Sequence, residues 1–174
     1  MIFILPLAPF LLFILILISA GIGYTASKIN TLVTVGWILV IAIAITYLIL
    51  IIELLVFNKK RNKVPLASRV YASIPALISI GLIIIESTDY FDQIKEAANS
   101  ANSLSGVFNW AWSFIAGGIG WLIAIAIYCA IGGYPLTVAE EADKGEEGEV
   151  NKVSTVCLLA GIVLIVLGLT VCKQ

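Results

Sequence analysis

Residues 38–52 read ILVIAIAITYLILII, without a charge, a proline or a glycine. They form the centre of a longer apolar run from Asn30 to Phe57, with Thr31 and Thr34 near its start. About 20 consecutive apolar residues carry a helix across the ~30 Å hydrocarbon layer of a bilayer, and this run exceeds that length. A helix is what a single segment can form in lipid, because it satisfies its own backbone N–H and C=O groups. Asn58-Lys59-Lys60-Arg61-Asn62-Lys63 follows at once, and then Val64-Pro65. Proline disfavours a helical conformation in the residue before it, so the spacing predicts a short polar loop here and a span over 31–57.

Working outward, four further apolar runs appear. Ile2 to Ile22 carries no charge, holds Pro6 and Pro9 in its first turns and ends at Gly21 and Gly23. No Lys or Arg precedes it, and its apolar part exceeds the core of a typical secretory signal. It reads as a retained span over 2–22. The third span is expected over 68–86 and is short; Pro75 inside it predicts a kink or a late helix start. The fourth is expected over 107–134 and the fifth over 153–172. Between the third and fourth, Tyr90, Phe91, Ile94, Ala98, Ala101 and Leu104 recur at intervals of three or four, while Asp92, Lys95, Glu96, Asn99 and Asn102 fill the other face. That pattern predicts an amphipathic helix over 88–105, either extending the third span or lying at the membrane surface. Residues 136–152 read as an acidic loop, with six acids and one Lys between Glu140 and Glu149.

The fold class is therefore all-α: a polytopic integral membrane helix bundle of about five transmembrane helices plus one amphipathic extramembrane or interfacial helix. Residues 1–174 form a single transmembrane domain. The bulk numbers point the same way. The chain is 61% hydrophobic and 12% charged, with a mean hydropathy of +1.09. A soluble domain is about 45–50% apolar and about 25% charged.

Ten basic and eleven acidic residues give a net charge of −1, which offers nucleic acid no basic surface. Histidine is absent, which excludes imidazole-dependent triads and histidine-ligated zinc or haem sites. The expectation is a protein that is not an enzyme and has no cofactor or metal. Cys129, Cys157 and Cys172 form no Cys-x-x-Cys pair and read as small buried hydrophobes.

Orientation follows from Lys and Arg in the short loops. Lys59, Lys60, Arg61, Lys63 and Arg69 are the topology determinants. Placing them in the cytoplasm puts Lys144 and Lys152 there too, and leaves Lys28, Lys95 and Lys173 outside. The N-terminus is then cytoplasmic and the C-terminus outside. Trp110 and Trp112 are expected at one membrane interface and Tyr134 at the other, with Trp121 facing protein.

Few residues carry chemistry. Glu53 is the one ionisable residue well inside an apolar run, near enough to Lys59–Arg61 to be a salt-bridged or snorkelling residue, with an ion pathway as the sharper alternative. Glu86 closes the third run beside Asp89 and Asp92 and carries the same pair of readings. Gly117-Gly118-x-Gly120 follows no strand and is not a dinucleotide fingerprint. Ala116, Gly120 and Ala124 are spaced by four, and Gly161 and Gly168 by seven, so each set shares a helix face. With Gly117 these are helix-packing candidates, within the chain or against a neighbour. None of the runs shows a clear polar stripe of the kind a pore needs. The expected function is a non-catalytic structural or accessory subunit of a larger membrane assembly, cellular or virion, with the bilayer and protein neighbours as partners. The alternative is a homo-oligomeric, channel- or holin-like pore.

Overall fold

The computed structural model describes residues 26–56, 64–100, 104–145 and 149–171. Among them are four helices: α1 (Ala26–Val56), α2 (Leu66–Asn99), α3 (Leu104–Lys144) and α4 (Val150–Val171). All four are long and apolar enough to cross a membrane. The span expected over 2–22 lies outside the described residues, as do Lys59, Lys60, Arg61, Lys63 and Cys172.

Hydroxyl groups inside these helices turn back on their own backbone. Thr34 Oγ1 donates to Asn30 O (2.8 Å), Ser73 Oγ to Val70 O (2.7 Å), Thr88 Oγ1 to Ile84 O (3.0 Å) and Thr170 Oγ1 to Leu167 O (2.7 Å). Each bond satisfies a polar group locally, which is what an apolar solvent demands. The outward faces are correspondingly apolar, with Ile38, Ile41, Ile45 and Ile49 of α1 and Leu158, Ile162 and Ile165 of α4 all exposed.

Three helix boundaries differ from the sequence reading. Of the two readings of the amphipathic segment over 88–105, the structure has the one that extends the third span, with a different end: residues 88–99 continue α2, and residues 104 and 105 open α3. Nothing between Ile85 and Tyr90 breaks a helix, and Thr88 bonds back to Ile84. The fourth helix does not stop at Tyr134; it runs on through Pro135 to Lys144, so the first half of the expected acidic loop is helical. Leu136, Ala139, Ala142 and Asp143 are buried along one side of that extension, an apolar stripe at helical spacing that the neighbouring acids mask in the sequence. Pro75 does not delay the third span, because α2 starts at Leu66 with the Ser68 and Arg69 N–H groups donating to Pro65 O.

The described residues pack as two compact units, one of residues up to Ile43 with those from Ile84 to Ala126, the other of those from Ala44 to Ile83 with those from Ile127 on. In the first, Trp37, Tyr90, Phe91, Phe114 and Trp121 form a chain of ring contacts, with Tyr90 stacked on Trp121 at 5.1 Å between centroids. A Cβ on Gly36 would strike the Phe91 ring, so glycine here admits the ring against α1. In the second unit, Pro75 of α2 and Pro135 of α3 are both buried, and the two helices approach closely at Gly132. A Cβ on Gly132 would meet Ser79 Oγ and come within 3.3 Å of the Pro75 carbonyl. Ser79 Oγ itself donates to Pro75 O (2.8 Å).

Candidate functional site

Two polar places stand out among the described residues. The first is an ion pair in the second unit. Arg69, in the first turn of α2, donates through Nη2 to Asp143 Oδ1 at 3.3 Å, near the end of α3. Both side chains are buried, and Asp143 Oδ2 has no hydrogen-bond partner among the described residues. Of the expected topology determinants, Arg69 is thus a buried partner and not a solvated charge. Asp143 was read only as part of a solvated loop. The pair joins the start of α2 to the end of α3, so the two helices are antipolar there.

The second place lies in the first unit, where Trp121 Nε1 donates to Ser87 Oγ at 3.1 Å and both are buried. Glu86, the neighbour of Ser87, is half-buried, and its Oε2 is enclosed without a hydrogen-bond partner. A turn or two further along α2, Tyr90, Gln93, Ile94 and Ala97 face Trp110, Ser113 and Phe114 of α3 across a recess of about 10 Å³, room for about one water molecule. That size does not admit a substrate or cofactor. Trp110 lines this recess and is buried within the chain. Trp112, two residues on, is 67% exposed, and Trp121 faces protein.

The other candidates scatter. Glu53 is exposed on α1, three residues from the end of the helix. Ala116 and Gly120 are exposed, Ala124 is half-buried, and a Cβ on Gly120 or Gly161 would meet open space. A Cβ on Gly117 would meet the Tyr90 ring at an ordinary 3.5 Å, whereas one on Gly168 would come within 2.6 Å of Leu82. The packing candidates therefore divide: Gly168 accommodates a neighbour within the chain, and the Ala116–Gly120 face does not. Gly36 and Gly132, which do allow close approach, were missed; the available signal was a lone glycine in an otherwise aliphatic run at Gly36 and the Gly132-Gly133 pair within an apolar run. Cys129 and Cys157 are free thiols, half-buried and buried respectively. Tyr47 donates its hydroxyl to the Cys129 carbonyl, a contact no spacing rule announces. Among the described residues no group of three or more His, Cys, Asp or Glu is placed to hold a metal ion.

No family model, curated protein or solved structure matches the chain.

Proposed function

We propose that the chain is a non-catalytic structural or accessory subunit of a larger membrane-embedded assembly, five-spanning, with a cytoplasmic N-terminus and an external C-terminus. The observation that carries this reading is the outward face of α3. Ala116 and Gly120 are exposed and a Cβ on Gly120 would meet nothing within 4 Å, while the tight glycine contacts inside the chain lie elsewhere, at Gly36, Gly132 and Gly168. Small residues let helix backbones approach in lipid, where association depends on close packing and not on hydrophobicity. A partner helix fits that face better than lipid chains do.

A homo-oligomeric pore is the second reading, favoured by the enclosed Oε2 of Glu86, since intramembrane carboxylates mark ion pathways. Native mass spectrometry after gentle extraction from the source membrane separates the two. A defined hetero-complex supports the subunit. A homo-oligomer supports the pore, and a monomer without partners refutes both.

A further inference from the structure

The contacts of α2 with α3 fix how deep its polar segment lies. Trp112 is exposed, as is Phe108 one turn earlier, which suits the headgroup level. At ~1.5 Å per residue, Trp121 lies roughly 13 Å further along α3. Trp121 bonds Ser87, and Tyr90 rests against Gly117 and Gly118. Ser87 and Glu86 are therefore level with a position near the middle of a ~30 Å core, and Asp89 is level with about Ile119.

A second helix places the same segment inside the core independently, and somewhat deeper. The uncharged stretch of α1 begins after Lys28, and Trp37, which contacts Phe91, lies roughly 13 Å along the helix from it. Val35, Ile38 and Ile41 around that level are exposed apolar side chains, as is Ile119 on α3. The helices on both sides of α2 thus present hydrocarbon-compatible surfaces at the height where α2 presents Asp89 and Asp92, with Glu96 a turn nearer the headgroup level. These three are exposed and, at spacings of three and four, share one face. Asp92 has only a 3.7 Å contact with the exposed Lys95. Charges facing lipid chains at this depth are strongly unfavourable and are found facing a water-filled space or each other.

We propose that this face of α2, from Glu86 to Asp92, lies at membrane depth and borders a water-filled cleft that opens, past Glu96, on the side of the membrane where α2 ends. Water reaches through it to the neighbourhood of Glu86, while the flanking faces of α1 and α3 meet lipid. A sequence reading of the spans does not reveal this, because the polar segment follows the apolar run of its own helix and overlaps in depth only with the runs of its neighbours.

Thiol accessibility tests it. Cys129, Cys157 and Cys172 are replaced by Ala in the full chain, and single cysteines are placed at Asp89→Cys, Asp92→Cys, Ile38→Cys and Ile119→Cys. Open membrane fragments are treated with a membrane-impermeant, positively charged methanethiosulfonate, and total thiol is counted in SDS. The cleft requires Asp89→Cys and Asp92→Cys to react at least tenfold faster than the two isoleucine positions. Fast reaction at all four sites would place the whole segment outside the bilayer and overturn the proposal. Protection at all four would show the face covered and overturn it equally. Gln93→Cys, a neutral replacement on the exposed side of the same segment, repeats the test if loss of an aspartate prevents folding.

Discussion

Replacing Arg69 with Met should be among the most damaging single changes in this protein, and replacing Arg69 and Asp143 together should be among the mildest double changes. The Arg69 side chain is 10% exposed and that of Asp143 2%, so solvent screens the pair little. Asp143 Oδ2 already lacks a partner, and the methionine would remove the donor to Oδ1 as well. Removing one partner of a buried pair costs about 3–5 kcal/mol because an uncompensated charge remains. At about 1.4 kcal/mol per tenfold, that is a shift of at least a hundredfold in the unfolding equilibrium. Arg69→Met with Asp143→Leu removes both charges at similar volume, and such replacements are neutral within about 1 kcal/mol or stabilising. The coupling in a double-mutant cycle should thus be at least about 2–4 kcal/mol in magnitude, and larger by whatever Asp143→Leu costs alone. Unfolding of the purified protein in mixed micelles by titrated SDS, followed by tryptophan fluorescence, measures all four corners. If the double variant is as unstable as the sum of the single ones, the pair does not act as a unit and the reasoning is wrong.

Three more outcomes follow from the packing. Gly132→Ala should lower stability by about 1–3 kcal/mol, the range for forcing extra volume into a packed core, and Gly132→Ala with Ser79→Gly should recover part of it; thermal unfolding in detergent reads both. Gly36→Ala should be destabilising through the Phe91 ring, and Phe91→Leu should relieve it, again by melting temperature. Gly120→Leu should leave the stability of the isolated chain within about 0.5 kcal/mol, as exposed changes do, yet shift native mass spectra of the extracted assembly toward the free subunit.

The existence and order of the helices from residue 26 onward were legible because lipid imposes one rule on every segment: long, apolar and helical. Their ends were less so. Pro135 followed by Glu140, Glu141 and Asp143 has the composition of a loop, and only the burial of Leu136, Ala139 and Ala142 explains why it stays helical. Likewise, the polar run after Glu86 left two readings open, an extension of the third span or a surface helix; it is the direct continuation of α2, with Ser87 against Trp121 and Tyr90 against Gly117. Side-chain partners were the least legible. Arg69 and Asp143 lie 74 residues apart, and each separately suits the solvated role first assigned to it. Trp121 was placed facing protein from its depth in an apolar run, but its acceptor, Ser87, carries no sequence signal.

Helix length has a consequence for where the protein resides. The 34 residues of α2 and 41 of α3 extend to roughly 50 and 60 Å at ~1.5 Å per residue, well beyond any bilayer core, so a thicker or thinner membrane merely meets a different stretch of them. The 22 residues of α4 reach only about 33 Å, with Thr155 and Lys152 close behind at one end. This shortest helix acts as the gauge. Mismatch costs fractions of a kcal/mol per Å, and among the described helices α4 would feel them most, so the preference of the protein for one cellular membrane over another should follow changes in α4 more than trimming of α3.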